Sequence, residues 1–155
     1  GFRGTHAGSK ATTTAALPLA NALLRQGKVD EALPLVEEYL TKAPAGDELR
    51  PAALEARGYA LEAQKKYDEA LKAFDELARE SKTDFMKGMG QYHRARMLLL
   101  KGDTAVAAKT LSEIESAAPN SAAARLAKDR IAVLVAQGVE IPKPAPTAPA
   151  IDGGK

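Results

Sequence analysis

Apolar residues recur along this chain at helical spacing, and the same apolar template is laid down three times. LPLANALLRQGKVDEALPLV (17–36) lies over EARGYALEAQKKYDEALKAF (55–74), and YHRARMLLLKGDTAVAAKTL (92–111) follows in the same register. Inside the first two copies, QGKVDEAL (26–33) and QKKYDEAL (64–71) agree at six of eight positions. In this alignment the small residues Ala20, Gly58 and Ala95 coincide, as do Leu23, Leu61 and Leu98, then Ala32, Ala70 and Ala107, then Val36, Phe74 and Leu111. A small residue three positions before a leucine shares its helix face, so a neighbouring helix can approach closely while the leucine fills the groove. Gly27 and Gly102 follow four positions after that leucine, where a left-handed helix cap is wanted, and Lys65 holds the place in the middle copy. Each copy therefore predicts a helix, a tight turn and a second helix with alanine at the closest contact.

Pro44 and Pro119 close the first and third units, because proline cannot continue a helix. Ser121 then reads as the N-cap of a last helix, SAAARLAKDRIAVLVAQG, ending at Gly138, with Arg125, Lys128 and Asp129 on its outer face. That helix is expected to cover the apolar face of the third hairpin. The extra length of the units is expected in the connections APAGDELRP (43–51) and SKTDFMKGMG (81–90), with Gly88 and Gly90 as flexible linkage. Pro18 and Pro34 fall inside expected helix and call for a first turn or a kink, making the first hairpin the least regular. VEIPKPAPTAPAIDGGK (139–155), with four prolines and no apolar periodicity, reads as a disordered extension.

These positions carry a resemblance. Small residue, leucine, turn glycine, alanine, bulky residue and proline in this order are similar to the tetratricopeptide repeat, over about residues 13–138. The resemblance implies an all-α chain: a right-handed α-solenoid of about three such hairpins plus a C-terminal capping helix. An N-terminal extension (1–12) and the tail (139–155) flank it. A closed antiparallel helical bundle is the alternative architecture. Two positions depart from the family pattern: its leucine before the small residue is Arg57 in the second unit and Arg94 in the third. Either the long stems pack while the guanidinium reaches water, or the helix register is slightly rotated.

Composition narrows the function classes. Hydrophobic residues make up 45% of the 155, enough for a continuous core, while aromatics at 5% and the absence of Trp favour helix over strand. Lys+Arg 22 against Asp+Glu 20 are mixed along the chain, which argues against nucleic acid as a partner. With no Cys, disulfides and thiolate metal sites are excluded. No apolar run reaches the roughly 18 residues of a membrane span. The start GFRGTHAGSK, without Met, reads as a processed or truncated product whose missing segment could hold a signal or anchor.

Reactive groups are thin. His6 and His93 have no partner at ligand spacing, and His93 is expected on a helix surface or boundary. The adjacent acids Glu37-Glu38 and Asp75-Glu76 diverge around a helix and read as solvated faces. No catalytic, cofactor or metal site is expected, and the chain reads as a non-enzyme.

A binding surface is the better prospect, since stacked hairpins curve around a hollow lined by the first helix of each unit. Positions one after and three before the small residue should face it, together with the residue one turn on: Leu17, Asn21 and Leu24; Glu55, Tyr59 and Glu62; Tyr92, Arg96 and Leu99. The tyrosines suit recognition best, the other reading being that they pack between hairpins. The family's carboxylate clamp for acidic chaperone tails is matched here only by Asn21, against Leu17, Ala56, Met89 and His93 at its other places. The phrase YDEAL (67–71) followed by segments 89–103 and 117–134 looks like bacterial envelope members of the family, among them an accessory subunit of the Sec translocon, which implies a periplasmic or envelope setting. The expected function is a scaffold binding a protein or peptide in the hollow. The alternative is an assembly subunit that mainly oligomerises, with no free groove.

Overall fold

The computed structural model describes residues 10–144, with side chains from Ala15 onward. His6 and residues 145–155 of the expected tail lie outside the described residues. The elements are α1 (Lys10–Arg25), α2 (Val29–Lys42), α3 (Arg50–Ala63), α4 (Tyr67–Glu80), α5 (Asp84–Lys101), α6 (Thr104–Ala117) and α7 (Ala122–Ala136). Among the described residues there is no strand. α1 with α2, α3 with α4 and α5 with α6 form the hairpins, and each first helix also leans on the next first helix. Substantial packing joins only helices one or two places apart in the chain. An open series of hairpins results, since a closed bundle would bring α1 against α7.

The aligned positions are the contacts that hold the series together. Ala20, Ala95, Ala32, Ala70, Ala107, Val36, Phe74 and Leu111 are fully buried, and Gly58 is buried with them. Successive apolar clusters are centred on Ala20 and Val36, on Leu61, Phe74 and Met97, and on Leu111 and Leu134. Removing each large side chain from water contributes about 1.5–3 kcal/mol, so the core is spread along the array instead of concentrated at one centre.

Turn chemistry repeats four times. The amide of Lys28 donates to the Leu23 carbonyl, that of Lys66 to Leu61, that of Asp103 to Leu98 and that of Val139 to Leu134, all at 2.9 Å. Each closes a left-handed cap at Gly27, Lys65, Gly102 or Gly138. α7 thus ends as a first-type helix does, and Ser121 caps its start by accepting from the Ala124 amide at 3.1 Å. Lys65, at φ +60, is the one non-glycine among the four. A left-handed L-residue costs about 1–2 kcal/mol, partly offset by glycine's greater freedom when unfolded. Lys65→Gly should therefore stabilise the chain by about 1 kcal/mol, read as a rise of a few degrees in melting temperature. An unchanged or lower value would contradict this.

Several expectations are corrected by packing. Gly88 and Gly90 are not linkage: they lie within α5, and the connection from α4 is only 81–83. Thr83 caps α5, its Oγ1 accepting from the Met86 amide. Gly90 is helical because α4 passes too close for any side chain: a β-carbon there would stand 2.8 Å from the Ala78 backbone nitrogen. Pro18 and Pro34 lie past the first turn of α1 and α2, with their rings exposed. Each deprives the carbonyl four residues earlier of its donor on the solvent side, where water can replace it. Arg57 and Arg94 resolve as ion pairs between hairpins, Arg57 Nε with Glu37 at 2.6 Å and Arg94 Nε with Asp75 at 3.7 Å. The packed chain continues past Gly138: Val139 and Ile141 lie against the last cluster, and Ser112 Oγ donates to the Pro142 carbonyl at 2.9 Å.

Candidate functional site

The first helices α3 and α5 meet with a displacement. Tyr59 on α3 meets His93 on α5, and Glu62 meets Arg96, although the alignment equates Tyr59 with Arg96. The third hairpin is therefore shifted by about one helical turn against the second. That shift selects which residues of α3 and α5 face each other.

Four side chains join across this seam. Arg96 Nη1 and Nη2 donate to the two carboxylate oxygens of Glu62, both at 2.8 Å. Arg96 Nε donates to His93 Nδ1 at 3.2 Å. A guanidinium cannot accept, so Nδ1 carries the lone pair and the His93 proton sits on Nε2, which donates to the Tyr59 hydroxyl oxygen at 3.1 Å. Tyr59 packs edge-on against Phe74 and His93, with ring centroids 5.7 and 5.2 Å away. The hydroxyl proton of Tyr59 is then free to donate elsewhere. Its phenol pKa is raised, by burial first and then by the nearby Glu55 charge.

His93 is buried at 5% exposure, not on a surface or boundary as the sequence suggested. Burial, and secondarily the Arg96 charge, push its pKa from 6.5 to about 4. It is a poor base at neutral pH, and its lone pair is already occupied. The arrangement holds two helices in register and positions a tyrosine. Because the unfolded chain takes up a proton near pH 6.5 and the folded chain only near 4, stability should fall as pH drops through that window, by at most ~1.4 kcal/mol per pH unit. Urea titrations between pH 7 and 4.5, compared with His93→Gln, should show a shallower slope in the variant. Parallel slopes would refute the assignment.

The other expected groove residues divide. Tyr92 is buried, its hydroxyl accepting from Arg130 Nε of α7 at 3.4 Å, so it packs between helices. Leu17 is buried beside Tyr39 and Ala53. Leu24 leans on the first cluster and Leu99 on the last, both partly buried. Asn21 and Glu55 are half-buried. Arg96, bound on two sides by Glu62, is not a free cation. His93 was missed because its partner lies 34 residues away, a distance set by the shift between hairpins and not by the repeat length.

A concavity of about 750 Å³ lies at the edge of the array, between the α2–α3 and α4–α5 connections, and is lined by Asp47, Arg50, Ser81 and Met86 among others. Arg50 spans it with a two-pronged ion pair to Glu80 at 2.9 and 3.2 Å. Among the described residues no helix is long and apolar enough to cross a membrane.

Residues 17–85 match the family model of the tetratricopeptide repeat, the first two hairpins up to the start of the third. No curated protein and no solved structure matches the chain.

Proposed function

Starting from a chain that is a tetratricopeptide-repeat protein, and so a protein-interaction module in general terms, we propose that its partner is an extended peptide or protein segment taken along the first-helix face of α1, α3 and α5. The observation that carries this is Tyr59: 40% of the side chain is exposed, yet its ring is seated on Phe74 and His93 and its hydroxyl is already oriented. An aromatic fixed before binding loses little freedom on contact, which is what recognition residues need. Asn21, Leu24, Glu62, Arg96 and Leu99 border the same face. The module needs no cofactor and performs no reaction in this reading. An envelope or periplasmic setting belongs to the proposal, supported by the likeness of segments 89–103 and 117–134, and fractionation of the source cell tests it.

The test is chemical-shift mapping of the isotopically labelled chain with peptides selected for binding to it. Perturbed amides should cluster at 21–24, 55–62 and 92–99. Shifts confined to α7, whose Val133 and Val135 are exposed, or shifts that follow protein concentration without peptide, would favour the assembly role instead.

A further inference from the structure

We propose that this face selects a polypeptide segment carrying a lysine or arginine, whose cation pairs with Glu55 while the Tyr59 hydroxyl donates to a backbone carbonyl of the same segment. The inference rests on the groove reading above and names the chemistry of its ligand.

The charges on the face are unequal in what they have left to offer. Glu62 and Arg96 neutralise each other through two 2.8 Å contacts. Glu55, one turn before Tyr59 on α3, is half-buried and makes no side-chain hydrogen bond or ion pair among the described residues. Burial raises its carboxyl pKa, so its charge is held at a cost that no partner among the described residues offsets. Its charge also helps to raise the pKa of the nearby Tyr59 phenol.

Tyr59 supplies the second, independent element. His93 Nε2–H occupies one lone pair of its oxygen, so the hydroxyl hydrogen is not spent on His93 and the group can donate to an incoming chain. Glu55, with a carboxylate seeking a cation, and Tyr59, with a hydroxyl seeking an acceptor, sit one helical turn apart on α3, their β-carbons about 5–6 Å apart. A side-chain cation and a main-chain carbonyl of an extended peptide are separated by a comparable distance, whereas an acidic ligand would set its charge against Glu55 with Arg96 already engaged. The exposed tyrosine ring adds a surface for the aliphatic stem of the lysine or arginine.

The experiment is a random peptide display selection on the wild-type chain and, in parallel, on Glu55→Gln, which preserves shape and removes charge. Wild-type selections should enrich Lys or Arg at one fixed position, and a synthesised winner should bind Glu55→Gln about tenfold more weakly, since a charge-assisted contact is lost. Replacing its Lys by norleucine should produce the same loss on wild type and no further loss on Glu55→Gln. Tyr59→Phe, which keeps the ring, should weaken every winner by a factor independent of that Lys. Winners that map to residues 55–62 yet ignore charge would overturn the cation assignment and leave the groove reading standing. Enrichment of Asp or Glu would overturn it as well. Peptides that shift only amides elsewhere, or no winners at all, would overturn both.

Discussion

Ala70→Glu is expected to unfold the middle hairpin, with a loss of about 3–5 kcal/mol, a large part of the 5–15 kcal/mol that holds an ordinary domain together. Ala70 has no exposed surface and lies in the first turn of α4, surrounded by Leu54, Leu61, Phe74, Leu77 and Met97. None of these offers a hydrogen-bond donor, so a carboxylate placed there must either separate α3 from α4 or take up a proton. The effect should be local, because each hairpin contacts only its neighbours. Hydrogen exchange should lose protection across 50–80 while α6 and α7 retain more of theirs. Lys72→Glu, two residues on and exposed, is the control and should change stability by no more than about 0.5 kcal/mol. Equal melting of Ala70→Glu and wild type would mean that α3 and α4 do not meet at this residue.

Gly58→Ala is the second large effect, and its sign runs against helix propensity. In an exposed helix the change would stabilise by about 1 kcal/mol. Here a β-carbon would overlap the Phe74 ring, which cannot swing aside because Tyr59 and His93 press on its faces and edge, the His93 ring lying 4.8 Å away. The expected result is a net loss of about 1–3 kcal/mol by thermal or denaturant melting. Phe74→Leu in the same chain should recover part of it, since a shorter side chain makes room, so the double variant should be more stable than the sum of the two single changes predicts. Gly90→Ala makes a useful contrast: its clash is with the backbone of Ala78, and no side-chain change on α4 should rescue it. Additive losses for Gly58→Ala and Phe74→Leu would show that the two positions are not in contact.

Under the proposed groove reading, Gly58 ties stability to recognition. Gly58 lets Phe74 reach the seam between hairpins, Phe74 supports His93 and Tyr59, and His93 fixes the direction of the Tyr59 hydroxyl. A packing defect at Gly58 should therefore also loosen Tyr59, and ligand affinity should fall with stability in that variant.

The number of hairpins, their turns and their closest contacts were legible in the residues themselves. These are local requirements: alanine or glycine where helices touch, leucine one turn away, glycine where φ must be positive, serine at the start of α7. Each leaves its mark at a fixed spacing. What the sequence left undecided depends on how one hairpin sits on the next. Gly88 and Gly90 look like linkage because glycine weakens an isolated helix, yet close approach of α4 and α7 draws them into α5. Lys65 takes a glycine's conformation in closing the same cap that Gly27 and Gly102 close in the other hairpins. Tyr92 and Leu17 sit at groove positions in the repeat but are covered by neighbours. His93 meets Tyr59, and Arg96 meets Glu62, only through the shift of about one turn between the second and third hairpins. That shift is set by how whole helix faces interlock, a sum over many weak contacts that no single residue spacing records.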